Sequence, residues 1–460
     1  MASDSERTRR QSFIKGRALE VLSSFEEREF TIFFGGSFAF FLGMSMHLLL
    51  RNIVVFNLTD SAFYLSISVI VAIAVLPITA PLGGVVADRV NKKTLLVVCE
   101  ALSTLLFSLI TVLVLTEKIE FWHLLITSPV FVSIFSFIMP ARQAIVPVLV
   151  PQQKLTNAIS LNAGGNTITQ IIGPAIAGLL LGFANPGIAF LAITILFGIA
   201  TLSDLRLPKY GMVGNKKTTS FIDDLRGGAK YILGNRLVFL LLFANFLMPL
   251  FTFPLQQMMV IFVREVHGLS DAWLGYFLMI LGIGSLIGIL LMTSADRIKN
   301  KGYLLMFGGF VTGVAMLAFA LTSNVIFALT MLGIIGLGEI VFGITNQAEI
   351  QRSITNEMRG RVMSVTMLSI SVWPIAILPV GIATDAFGPG PTLSVTAILY
   401  VVALIALFGF SATLRKLYVD KRKSAELSHV QAAQLVAEGK ITEEEASKLT
   451  GESEELDSKS

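Results

Sequence analysis

Long apolar runs separated by short polar breaks set the pattern of this chain. Twelve such runs are read, at roughly 30–56, 62–86, 94–115, 120–139, 158–183, 187–204, 236–262, 272–293, 303–322, 325–347, 361–384 and 391–413. A helix that crosses the hydrocarbon of a bilayer needs about 20 apolar residues, and these runs supply them. Strands do not fit, because the runs are too long and do not alternate. The breaks carry turn chemistry: Thr116-Glu117-Lys118, Asn185-Pro186-Gly187, His267 to Asp271, Thr322-Ser323-Asn324 and Phe387 to Pro391. The pattern predicts an all-α membrane protein with 12 transmembrane helices.

The longest break, 205–235, divides the runs into two groups of six. The organisation read from it is an N-terminal segment 1–29, a first half 30–204, a linker 205–235, a second half 236–414 and a tail 415–460. Within the linker, Phe221 to Arg236 predicts a short interfacial helix. The tail begins basic and ends acidic, and its middle suggests two short helices joined at Gly439; a solvated tail is the alternative.

Charge fixes the expected sidedness. One set of loops carries Arg89, Lys92, Lys93, Arg142, Lys154, seven basic residues between Arg206 and Arg236, Arg297, Lys299, Lys301, Arg352, Arg359 and Arg361. The opposite set carries only Lys118 and Arg264. Basic loops stay cytoplasmic, so both termini are expected inside, with the protein in the plasma (inner) membrane. Residues 1–29 contain no apolar core of a signal peptide, so the first run is expected to remain as a span.

Two ordered echoes indicate a duplicated six-helix unit. Ala87-Asp88-Arg89-Val90-Asn91-Lys92-Lys93 follows the second run, and Ala295-Asp296-Arg297-Ile298-Lys299-Asn300-Lys301 follows the eighth. Arg142-Gln143-Ala144 then matches Asn346-Gln347-Ala348, and Asn157 to Ser160 matches Arg361 to Ser364. Transporters built from such repeats hold cargo between the halves, near the midplane.

Composition agrees with a lipid solvent. Of 460 residues, 54% are apolar and 14% charged, and the mean hydropathy is +0.76; soluble domains carry about 25% charged residues. The lone Cys99 excludes an internal disulfide. His47, His123, His267 and His429 form no metal-binding pair, and no cofactor, metal or nucleic acid is expected. No nucleotide loop is present, so ATP drive is not expected. An integral-membrane enzyme would need clustered His, Asp or Cys at one interface, and none is visible.

Polar residues inside the runs are the candidate functional groups, because hydrocarbon penalises them. Asn162, Asn166 and Gln170 share one helix face and are expected to line a central cavity, with hydrogen bonding between helices as the alternative. Asn245, Gln256 and Gln257 stand beside Met248, Met258 and Met259, whose flexible thioethers suit varied apolar ligands. Among the charges, Arg51 lies in the outer third of the first run and Glu100 about two turns into the third. Glu339 lies near the middle of the tenth. Glu339 is the main candidate for proton coupling, with Arg51 a partner that changes during the cycle. Glu100 is placed in the same group, with a structural pairing to Arg89 or Arg142 as the alternative.

The stretch Gly83 to Lys93 resembles the signature loop of the major facilitator superfamily, with Asn91 in place of its second glycine. Asparagine tolerates a left-handed turn best among non-glycine residues. Three further stretches resemble the exporter branch that includes the enterobactin exporter and the macrolide efflux pumps. They are Asn57-Leu58-Thr59-Asp60-Ser61-Ala62, Pro140 through Pro151, and Arg359-Gly360-Arg361-Val362-Met363-Ser364. The resemblance implies the major facilitator fold, two six-helix pseudo-repeats and conformational gating by Asp88, Arg89, Lys92, Lys93, Asp296 and Arg297. It places Asp88 against the start of helix eleven and Asp296 against the start of helix five. Gly173, Pro174 and Gly178 resemble the helix-five motif of drug antiporters, with Thr169 where an earlier glycine is expected. The function expected is a secondary active transporter exporting a small amphipathic molecule, drug-like or siderophore-like, by proton antiport. Its partners would be cargo, protons and the bilayer, and a monomer is expected. An uptake carrier on the same fold and a lipid flippase are the rival readings.

Overall fold

The computed structural model describes residues 23–183, 185–208, 221–293, 300–355, 358, 360–362, 365–366, 376–411 and 414. Among them, eleven helices are long and apolar enough to cross a membrane, and Ile377–Phe387 is a shorter apolar helix. The first half has α1 (Arg28–Thr59), α2 (Ala62–Ile73), α3 (Leu76–Arg89), α4 (Lys92–Leu115), α5 (Phe121–Leu149), α6 (Leu155–Phe183) and α7 (Pro186–Leu205), of which α2 and α3 together make one span. The linker holds α8 (Phe221–Gly234), where the interfacial helix is expected. The second half has α9 (Arg236–Gln257), α10 (Ala272–Met292), α11 (Lys301–Ala320), α12 (Val325–Ser353), α13 (Ile377–Phe387) and α14 (Pro389–Phe410).

Asparagine starts many of these helices. Asn91, Asn185, Asn235, Asn300 and Asn324 each accept a hydrogen bond from the amide three residues on. Each thereby satisfies one of the amides that a helix start leaves without an internal partner. Asn91 has φ −60° and ψ 120°, so it caps α4 and does not make the left-handed turn expected of it. The caps also correct the register of the repeat. Asn300 answers Asn91, so buried Lys301 answers buried Lys92 and not Lys93.

The second span is two helices in line, α2 and α3, interrupted at Ala74–Val75. Pro77 has no amide hydrogen and sits in the first turn of α3, where that loss costs nothing. The seventh run continues past Gln257 as one turn, Met259–Ile261, and a π-turn, Phe262–Val266.

Packing repeats between the halves. In the first half α4 packs on α7, α1 on α7, α3 on α5 and α4 on α5. In the second half α11 packs on α14, α9 on α14, α10 on α12 and α11 on α12. These are the same pairs once the duplication is applied. The halves meet along two crossings, α6 on α10 and α2 on α13, which the duplication also relates. Large apolar side chains such as Leu105, Ile326 and Phe183 point outward, as lipid permits and water does not.

Several expected features fall outside the described residues: Asp296 and Arg297, the side chain of Asp88, most of the eleventh run before Ala376, and the tail beyond Leu414.

Candidate functional site

A cavity of about 700 Å³ lies between the halves. Phe41, Met44 and Asn52 of α1, Phe135 and Met139 of α5, and Asn166 and Gln170 of α6 supply one wall. Phe253, Gln256 and Gln257 of α9, Ser285 of α10 and Glu339 of α12 supply the other. Aliphatic side chains form the largest part of the wall, with rings, thioethers and amides spaced among them, which suits a bulky apolar molecule bearing a few polar groups. Glu339 is the one charged side chain among the described residues that line it.

The expected cavity residues divide. Asn166, Gln170 and Gln256 line the cavity, and Gln170 donates to Asn166 Oδ1 at 3.2 Å. Asn162, two turns before Gln170 on α6, is not in the wall. Asn245 is turned into the second half, where Asn346 donates to its Oδ1 at 3.3 Å. Asn346 also donates to the Leu241 carbonyl, so this pair ties α12 to α9.

The Thr252 hydroxyl of α9 lies beside the Glu339 carboxyl. The buried Tyr400 hydroxyl of α14 lies near it and has no hydrogen-bond partner among the described residues. Arg51 is not brought to Glu339. It is buried in α1, donates to Asn52 Oδ1 at 3.1 Å and lies near His47. Asn52 in turn donates to Gln257 Oε1 at 2.9 Å, which joins the halves in the cavity wall.

Glu100 belongs to a different construction. Its carboxylate pairs with Arg142 of α5, and Asp204 of α7 lies 3.7 Å from the same guanidinium nitrogen. Arg142 also donates to the Ser37 hydroxyl and lies over the Phe33 and Phe40 rings, 5.5 and 4.9 Å from their centroids. All three charged groups are buried within the first half, away from the cavity wall. The cluster holds four helices as one body, and the PARQA stretch thereby has a structural role. Asp204, the last residue of the sixth run, is a member that the sequence does not single out, since a carboxylate at a span end draws no notice.

The helix-five motif has two separate tasks. A Cβ on Gly173 would meet Ser45 of α1 at 2.7 Å, inside the first half. A Cβ on Gly178 would meet Gly275 Cα of α10 at 2.7 Å, across the halves. Pro174 lies between them, in the cavity wall. Of the gating residues, Arg89 is exposed at the end of α3, Lys92 is buried and Lys93 is half-buried.

Three charged residues missed in the sequence lie at the end of the bundle with few basic loops. Arg264 pairs with Asp271 at 2.6 Å, donates to Asn57 of the first half and lies over the Phe56 ring at 5.4 Å. Asp385 of α13 receives the Ser61 hydroxyl at 2.6 Å and the amides of Ala62 and Phe63 at 2.7 and 3.1 Å. With the Gly178–Gly275 and Asn52–Gln257 contacts, they close the halves on each other at this end. Among the described residues no group of three or more His, Cys, Asp or Glu could hold a metal ion.

Residues 30–377 match the family model of the Major Facilitator Superfamily. Macrolide efflux protein A of Streptococcus pyogenes is 23% identical over 350 residues, covering 74% of this chain and 86% of that protein. The staphyloferrin A transporter of Staphylococcus aureus is 25% identical over 371 residues, covering 80% and 92%. The putative bacilysin exporter BacE of Bacillus subtilis is 26% identical over 314 residues, covering 66% and 76%. Among solved structures, the nucleoside transporter NupG superposes with a TM-score of 0.67 at 13% identity, over 83% of this chain and 100% of that one. A bacterial homologue of the lysosomal transporter Spinster, inward-facing and unoccupied, gives 0.63 at 15% identity, over 85% and 95%. The structural likeness shows the fold alone.

Proposed function

Since the chain belongs to the major facilitator superfamily of membrane transporters, we propose that it exports a small amphipathic molecule by alternating access, coupled to proton entry. The observation that supports this most is the cavity between the halves with Glu339 as the charged group in its wall. The rings, thioethers and amides suit an amphipathic cargo. The relatives named for efflux and export support the outward direction.

With the basic loops cytoplasmic, the contacts at the opposite end make this conformer inward-facing. Glu339 then exchanges its proton with water in a cavity open to the cytoplasm. In the alternate conformer the same carboxylate meets the outer solution. Antiport requires that the carboxylate hold its proton differently in the two states. Thr252 and Tyr400 belong to the same half and accompany Glu339 in both states, so the difference is set by which solution the cavity meets and by the first-half residues, Asn166 and Gln170 among them, that share the cavity wall with it. Arg51, held by Asn52, has no part in this reading.

The test is Glu339→Gln in proteoliposomes with an imposed pH gradient. Loss of gradient-driven transport, with retained exchange of cargo for cargo, is the expected result. A gradient response equal to that of the unaltered protein removes Glu339 from the coupling. Loss of cargo binding as well makes Glu339 a cargo contact.

A further inference from the structure

The start of α2 lacks a cap from its own residues. Ser61 has extended backbone, φ −148° and ψ 130°, and its side chain caps no amide of the helix. The carboxylate of Asp385, from the other half, takes that place. It accepts the first two amides, of Ala62 and Phe63, and the Ser61 hydroxyl. A carboxylate at a helix N-terminus gains both from the free amides and from the helix dipole.

The contact does not stand alone. A Cβ on Gly381, one turn before Asp385, would meet the Ala62 carbonyl at 2.7 Å. Two turns before Asp385, the Ile377 carbonyl accepts the Ser66 hydroxyl at 3.0 Å. The halves therefore touch along α2 and α13 from Ser61 to Ser66. Next to this strip, Asn57 accepts from Arg264 of the second half. The segment 57–62, whose sequence stood out without an assigned purpose, thus receives a cation and an anion from the opposite half. Asp60, with φ 46° and ψ 39°, makes the left-handed turn that brings Ser61 and the α2 amides into position. Its amide is held by the Phe56 carbonyl at 2.8 Å.

We propose that Asp385 is the positioning residue of an outer latch: its carboxylate, seated on the N-terminus of α2, holds the transporter closed on the side away from the basic loops. The inference rests on the alternating-access reading, because a latch acts only where the halves part. Alternation requires α2 and α13 to separate at this end, which strips all three hydrogen bonds from the carboxylate at once. Asp88 stands at the opposite end of the same span, at the C-terminus of α3. The second span thus meets one carboxylate at its start, supplied by α13, and carries another at its end. A latch at each end of one rocking pair biases the two conformers in opposite senses.

The experiment places spin labels on Leu58 and Phe387, both exposed at this end on opposite halves. The full chain is used with Cys99→Ser, reconstituted in lipid nanodiscs, and the distance distribution is read. Asp385→Asn keeps the shape and loses the charge. It is expected to raise the ratio of separated to closed populations by about 5- to 30-fold, since the contact amounts to roughly one charge-assisted cap. Ser61→Ala, which removes one of the three bonds and should fold without difficulty, is expected to shift the ratio in the same direction by less. Adding Asp88→Asn to Asp385→Asn is expected to move the distribution back toward closed. A merely structural Asp385 would lower the melting temperature and leave the ratio alone, and that result overturns the proposal. Gly178→Ala, which wedges the other crossing, separates the two ways of failing. If it opens the bundle and Asp385→Asn does not, the latch is wrong and alternation stands. If neither opens it, both are wrong.

Discussion

Gly173 and Gly178 lie little more than a turn apart on α6, yet alanine at each should have opposite kinds of consequence. A Cβ at 178 would sit 2.7 Å from Gly275 Cα and 2.8 Å from the Ala272 carbonyl oxygen. Ordinary contact begins at 3.4 Å, so α6 and α10 must part by about 0.7 Å. Backbone is on both sides, so no side chain can rotate away. Overpacking of this kind costs about 1–3 kcal/mol. The cost falls on the closed conformer alone, because α6 and α10 belong to different halves. A difference of that size between two states changes their ratio by roughly 5- to 150-fold. At Gly173 the new methyl meets Ser45, on α1 of the same half. That strain is present in both conformers and cancels from their ratio. Gly35, with nothing within 4 Å of its Cβ, serves as the neutral control. The assay is the spin-label distance distribution between positions 58 and 387, with the melting temperature measured in parallel. Gly178→Ala should open the bundle, Gly173→Ala should only lower the melting temperature, and Gly35→Ala should do neither. If the first two variants behave alike in both readouts, the assignment of one glycine to each kind of interface is refuted.

Two further outcomes follow from the charged groups. Glu100→Ala leaves buried Arg142 with Asp204 at 3.7 Å as its remaining acid. Breaking a buried pair costs about 3–5 kcal/mol, so scanning fluorimetry should show a marked drop in melting temperature while cargo affinity is unchanged; an unaltered melting temperature counts against the cluster as a structural brace. Glu265, beyond the end of α9, has its carboxyl pushed above the usual carboxylate range, first by burial and then by the charges of Asp60 and Asp385. A raised acid favours the folded state at low pH and loses that contribution as pH climbs through the shifted value, so Glu265→Gln should melt higher than the unaltered protein at neutral pH, with the gap closing on acidification; a gap that does not depend on pH rules this origin out.

Hydropathy located the long helices closely because lipid leaves a spanning chain little choice but to bond its own backbone. Proline was a poorer guide. Pro129, Pro140 and Pro147 all sit inside α5 without ending it, whereas the second span breaks just before Pro77. Glu339 was legible because a carboxylate within an apolar run stands out. Asp204 and Asp385 were not, because acids at span ends are ordinary, and only the folded partners reveal them. Periodicity put Asn162, Asn166 and Gln170 on one stripe, but it cannot say where along that stripe the opposite half stops. In the same way it found Asn245 without knowing that Asn346 would claim it. Whether Arg51 comes within reach of Glu339 is a matter of distance, which no one-dimensional pattern contains.

The placement of strong and weak contacts explains how such a molecule can be both rigid and mobile. The desolvated ion cluster of Glu100, Arg142 and Asp204 ties α1, α4, α5 and α7 into one body. Its geometry never has to change, so the high cost of breaking it is harmless. Across the halves the contacts are of another kind, each a single crossing, hydrogen bond or cap: Gly178 on Gly275, Asn52 to Gln257, Ser66 to the Ile377 carbonyl, Arg264 to Asn57, and the Asp385 cap on α2. A neutral hydrogen bond contributes about 0.5–1.5 kcal/mol net, and a cap substitution costs about as much. A few such contacts sum to a closure that differential binding of cargo or a proton can reverse. Were an ion pair of the Glu100–Arg142 type placed across α2 and α13 instead, its rupture would cost about 3–5 kcal/mol, above the roughly 1–3 kcal/mol by which a ligand typically couples two states. The bundle would then hold a cavity but could not turn it to the other side.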